Sequence, residues 1–127
     1  RGYSKNPRKE ISKMDKIYFI DIGVRNSVIN DFSTINLRKD VGSLWENFLI
    51  MERIKRNAYA GDYAEPYFWR KYSGAEMDYL ENKDGKAEAY EFKWGKKKSR
   101  SGASWQNDYP DAGFQVVNRD NWLEFCL

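Results

Sequence analysis

Four ionisable residues alternate with apolar ones in the stretch "GAEMDYLENKDGKAEAYEFKW" (74–94): Glu76 and Asp78 before a turn signal, Glu91 and Lys93 after it. Asp84-Gly85 favours a two-residue type I′ turn, so the stretch predicts a β-hairpin. That loop pairs Lys83 with Lys86, sets Leu80 against Ala89, Asp78 against Glu91, and Glu76 against Lys93. Alternation gathers the four charges on one face and gives the other to Met77, Tyr79, Tyr90, Phe92 and Trp94. Opposed Cα atoms lie about 4.5–5.5 Å apart, so the Asp78 and Glu91 carboxylates would repel and one pKa would rise unless a cation intervened. Lys93 supplies one positive charge, and a divalent metal would supply the rest. The other reading of the same pattern is a solvated strand face crossed by ion pairs.

These residues need elements to hold them. "DVGSLWENFLIMERIKRNA" (40–58) has Asp40 as a candidate cap, and Val41, Leu44, Trp45, Phe48 and Met51 form one apolar arc at helical spacing. Glu52 falls inside that arc and Glu46 at its flank, where a carboxylate is costly unless it meets a cation or hydrogen-bond donors. "KIYFIDIG" (16–23) reads as a first strand, "VRNSVIND" (24–31) as a short helix or turn, and "YFWRKY" (67–72) as another strand. After the hairpin, "GKKKSRSGAS" (95–104) reads as a flexible basic loop and "WQNDY" (105–109) as a short helix. "GFQVV" (113–117) and "WLEFCL" (122–127) read as closing strands, the latter carrying Cys126. The order predicts a mixed sheet with helices packed on it, an α/β or α+β layer fold.

Composition narrows the chemistry. The 127 residues make one domain with a modest core, and 17% aromatic content with five Trp excludes a disordered chain. There is no histidine, so neither a Ser-His-Asp or Cys-His machine nor a His-based zinc site can be built. Any metal must sit among carboxylates and carbonyls, which suits Mg2+ or Mn2+. A single cysteine excludes an internal disulfide framework and fits a reducing cytoplasm. No apolar run approaches the roughly 20 residues of a membrane span. The net charge of +3 is uneven: residues 1–14 and 93–100 each hold five basic side chains, and the rest of the chain is acidic. Such segments either meet a polyanion or serve as solvated loops. The opening stretch, 1–15, reads as a linker or the end of a preceding domain.

Taken together, "GSLWEN" (42–47), "YFWRKYSGAEMDY" (67–79) and "YEFKWG" (90–95) resemble the C-terminal domain of unknown function attached to bacterial and archaeal AAA-type ATPases, within the PD-(D/E)XK, restriction-endonuclease-like superfamily. The resemblance spans roughly residues 16–127. It implies a restriction-endonuclease-like central mixed sheet flanked by helices. It implies further that Asp78 is the signature aspartate, with Met77 in place of the proline, and that Glu91 and Lys93 form (D/E)-x-K. Glu46 would be the acid of the first core helix, Glu52 its second glutamate, and Arg70 the arginine of the "WR" before the aspartate.

The resemblance and the chemistry of the residues lead to one expectation, a Mg2+- or Mn2+-dependent nuclease acting on DNA. Asp78, Glu91 and the Phe92 carbonyl would hold the ion, with Glu46 on it, on a second ion or on its water shell. Lys93 would position the attacking water. Arg70 would grip a phosphate or form a surface ion pair, and Lys96, Lys97, Lys98 and Arg100 would meet the nucleic-acid backbone. Trp105 and Tyr109 would stack on bases or belong to the core. The alternative is a non-catalytic DNA-binding or protein-docking module of the same ATPase. The chain contains no P-loop, so the ATPase is expected upstream of Arg1.

Overall fold

A computed structural model describes residues 1–6 and 14–127. Much of the basic segment 1–14, including Arg8, Lys9, Glu10 and Lys13, lies outside the described residues. In chain order the elements are α1 (Ile22–Ile29), a 3-10 turn (Ile35–Leu37), α2 (Val41–Ala60), β1 (Glu65–Arg70), β2 (Glu76–Lys83), β3 (Lys86–Phe92), α3 (Gly102–Asp108), β4 (Gly113–Val117) and α4 (Trp122–Cys126). The strands form one sheet in the order β1-β2-β3-β4. The first two pairings are antiparallel and the β3–β4 pairing is parallel. The architecture is therefore a mixed α/β layer fold. No helix among the described residues is long and apolar enough to cross a membrane.

The hairpin turn forms as its sequence dictates. Asp84 and Gly85 both adopt positive φ, 51° and 76°, which the type I′ turn requires and which Asp and Gly tolerate. Lys83 pairs with Lys86 and Leu80 with Ala89, as the turn demands. The ladder ends at Tyr79–Tyr90, so the expected Asp78–Glu91 and Glu76–Lys93 pairs are not made. From there the two strands part: β2 stays with β1 through Trp69–Met77 and Arg70–Glu76. Its former partner β3 stays with β4 through Glu91–Val116 and Phe92–Val117.

A bulge explains the parting. Between Tyr67–Leu80 and Trp69–Met77, β1 has one residue, Phe68, where β2 has two, Asp78 and Tyr79. Such a bulge re-aims the side chains around it. Tyr79, Tyr90 and Phe92 pack with Trp45, Leu49 and Ile50 of α2 and with Phe125 of α4. Met77, Leu80, Ala87 and Ala89 pack on the opposite face around Trp69 and Trp105. Asp78 joins Tyr79 on the α2 side, lining a recess with Ile50 and Phe68, whereas Glu91 alternates with Tyr90 and Phe92 and shares the Ala89 face. The single charged face expected from alternation is thus split in two, and Met77 belongs to the second cluster rather than to the Tyr79 cluster.

Two predicted strands take other forms. Residues 14–19 join no ladder; the Asn47 side chain accepts the Phe19 N–H at 2.9 Å and donates to the Phe19 carbonyl at 2.7 Å. An amide on α2 thereby replaces a neighbouring strand, and Asp21 caps α1 through the Val24 N–H. At the C-terminus, Trp122–Cys126 is a helix. Trp122, Phe125 and Cys126 recur at i, i+3 and i+4, the spacing of one helix face, and they pack into the α2 cluster. Cys126 is buried on this helix rather than on a strand, and burial pushes its thiol pKa up to about 11, so it is an inert apolar side chain.

Arg1–Tyr3 runs along the outer edge of β1: the Tyr3 N–H donates to the Phe68 carbonyl at 2.7 Å, and the Phe68 N–H to Arg1 at 3.0 Å. Trp105 is fully buried, and its indole N–H donates to the Gly113 carbonyl at 3.2 Å. It is core rather than a stacking platform for bases. Tyr109 stacks on it at 4.4 Å.

Candidate functional site

Helix α2 carries its acids on different sides. Glu46 faces the bulge, where Lys16 reaches it at 3.1 Å and also reaches Glu76 at 2.5 Å. The Tyr18 hydroxyl donates to Glu46 as well. Arg70 makes a two-nitrogen contact with Glu76 at 3.0–3.2 Å. Lys16 thus bridges helix and sheet, a role that nothing in the spacing of 16–23 signalled. Burial works against its charge, but Glu46 and Glu76 outweigh it and the lysine pKa rises. For Glu76 the burial penalty is likewise overcome, by Lys16 and Arg70, and its pKa is lowered. Burial and then Glu46 push the Tyr18 hydroxyl well above its ordinary range.

Asp78 is the group left short of cations. Its carboxylate accepts the Phe92 N–H at 2.7 Å, but burial foremost, with Glu46 and Glu76 adding repulsion, pushes its pKa up to about 7. The Phe92 bond and the charge on Lys16 only moderate this. A carboxyl raised toward neutrality by burial and neighbouring acids is a common signature of functional sites.

Glu91 and Lys93 form a separate group. Lys93 pairs with Glu91 at 2.6 Å. The Ser99 hydroxyl donates to the other oxygen of Glu91, and the Arg100 N–H donates weakly, at 3.5 Å, to the oxygen that Lys93 holds. Ser99 in turn accepts the Gly102 N–H at 2.8 Å, at the start of α3. Glu91 is 3% exposed, so this is a buried acid whose oxygens are used to fix the loop after β3. That loop, 95–101, presents Lys97, Lys98 and Arg100 to solvent, while Lys96 pairs with Asp120 at 3.0 Å. Of the remaining expected site residues, Glu52 sits on the flank of α2 and pairs with Lys55 at 2.7 Å. The side chain of Phe92 is core.

The structure therefore brings Glu46, Glu76, Asp78 and Arg70 together around Lys16, and Glu91 with Lys93 on the other face. A hard cation such as Mg2+ or Mn2+ needs several oxygen donors around one point. Among the described residues no three acids converge as a metal-ligating group, and the spaces beside Glu46 and Glu91 hold the ammonium groups of Lys16 and Lys93. As arranged, these residues do not fit the metal.

A third cluster is structural. Arg53 donates to both oxygens of Glu81 at 2.7 Å and to the Phe125 carbonyl at 2.7 Å. Asn57 and Tyr79 complete the acid's shell at 2.6 and 3.2 Å. Every Glu81 oxygen is satisfied, which is what a buried ion pair needs to be tolerated.

Comparison with known proteins gives one family match. A model described as a domain of unknown function, DUF4143, matches residues 41–125. No curated protein and no solved structure matches the chain.

Proposed function

This chain belongs to the DUF4143 family, and within it we propose that the chain acts as a non-catalytic nucleic-acid-binding module on a restriction-endonuclease-like fold, linked to an ATPase domain of the same polypeptide. One observation carries this reading: Glu91, the acid expected to hold a metal, is spent on Ser99, Arg100 and Lys93. Its effect is to anchor a loop that offers Lys97, Lys98 and Arg100 to a polyanion. Neutralising phosphates with such side chains releases counterions and gives salt-dependent affinity. The test is binding of DNA at increasing salt by the wild type and by a Lys97→Gln, Lys98→Gln, Arg100→Gln triple variant. Binding that weakens with salt and largely disappears in the variant supports the proposal. Absence of binding at low salt sinks it.

A second reading, Mg2+- or Mn2+-dependent DNA hydrolysis, is favoured by Asp78, whose carboxyl is raised to about 7 beside Glu46, and it requires the Lys16 ammonium to leave Glu46 and Glu76 to the ion. Cleavage that requires added metal and is lost in Asp78→Asn, with folding intact, would establish it over the binding-only module.

A further inference from the structure

Beside the basic loop, on the far side of α2 from Lys16, lies a cleft of about 550 Å³ with a mainly apolar lining that also includes Asn26, Ser33, Arg38 and Arg119, within the range of about 300–1,000 Å³ found for small-molecule sites. Its walls are rings: Trp45 meets Trp94 edge-on at 5.3 Å and Trp122 at 6.1 Å, with Phe48 stacked on Trp45 at 5.8 Å. At its rim the Arg119 guanidinium lies 4.8 Å from the centroid of Trp94. Arg119 is exposed and takes part in none of the ion pairs among the described residues, so its charge is available to an anion.

Aromatic walls and a cation at the rim describe a ligand that is planar and anionic. We propose that this cleft binds a single nucleotide, its base against Trp94 and Trp45 and its phosphate at Arg119. An aliphatic side chain would fill the space and leave the guanidinium unmet. Stacking on aromatic walls tolerates any base, since every base has a π-face. The nucleotide comes either free or as an unstacked base of a single strand. In the second case the site extends the nucleic-acid reading above, since Trp94 leads directly into the loop of Lys97, Lys98 and Arg100.

The test is tryptophan fluorescence of the whole chain in EDTA, titrated with adenosine, AMP, UMP and a short single-stranded DNA. We expect saturable quenching, with AMP bound at least about fivefold more tightly than adenosine because of the charge-assisted contact. The exposed Arg119→Gln variant should erase that difference without changing the circular dichroism, and Trp94→Leu should weaken every ligand. Quenching by AMP and UMP assigns a free-nucleotide site; quenching by the single strand alone assigns an unstacked-base site. Quenching by none of them overturns the proposal, as does AMP binding that ignores Arg119→Gln. Double-stranded DNA binding through the basic loop is unaffected by either variant, so failure of the cleft and failure of the loop are told apart.

Discussion

The Asp78 carboxylate accepts the Phe92 backbone N–H at 2.7 Å, so a side chain ties β2 to β3 where their backbone ladder has already ended. The contact depends on the bulge, which gives Asp78 the same side as Tyr79 and sets it facing Glu46.

This geometry gives Asp78 a stability signature. Its folded pKa of about 7 stands above the unfolded 3.8, so the native state holds the proton more tightly. Below 3.8 both states are protonated and nothing is lost; as pH climbs to about 7 the folded state is progressively penalised. Urea unfolding should show stability falling over that window, and Asp78→Asn, which keeps an acceptor for Phe92, should flatten the fall. At pH 7.5 the variant should be more stable by on the order of 2 kcal/mol. An unchanged pH slope would refute the assignment.

Lys16 holds two acids at once. Lys16→Met should cost about 2–3 kcal/mol at neutral pH, from lost charged hydrogen bonds, and less as the pH falls through the lowered pKa of Glu76. It should also make the site responsive to metal. Mg2+ is expected to leave the wild-type melting temperature unchanged and to raise that of the variant, read by thermal denaturation with and without EDTA. A metal-induced rise in the wild type would argue that Lys16 yields to the ion.

The Arg53–Glu81 pair is buried and fully bonded. Glu81→Ala should destabilise by about 3–5 kcal/mol by stranding the guanidinium. Glu81 has a lowered pKa despite its burial, so its contribution is present above the unfolded 4.5 and lost as pH falls. Denaturation of wild type and variant should therefore converge in acid.

Removing Lys97, Lys98 and Arg100 together should reduce the salt slope of DNA binding by roughly 2–3, at about 0.7–0.9 per phosphate contact. Glu91→Gln should weaken binding less, since the loop charges remain while their anchorage loosens. A triple variant with the wild-type slope would remove the loop from the interface.

Much of the framework was legible. The 3.6-residue spacing of Leu44, Trp45 and Phe48 fixed α2, and Asp84-Gly85 fixed the hairpin and its register as far as Tyr79–Tyr90. The "KIYFIDIG" strand failed because a long-range amide, Asn47, satisfies its backbone. The last helix was misread because β-rich composition outweighed the i, i+3, i+4 spacing of Trp122, Phe125 and Cys126. For the site, the acids near the bulge were visible as residues, but their partner Lys16 was not.

What the sequence alone determined is the set of available chemistries: no histidine, paired acids with lysine, a type I′ hairpin and a basic loop, all set by residue type and local backbone preference. What only the tertiary structure decided is which charges meet. Period-two alternation puts Asp78 and Glu91 on one face, and a single extra residue opposite Phe68 separates them. A bulge arises from packing against a neighbouring strand, so no local pattern in β2 announces it. With it, Asp78 goes to Glu46 and Lys16, and Glu91 goes to Ser99 and the loop.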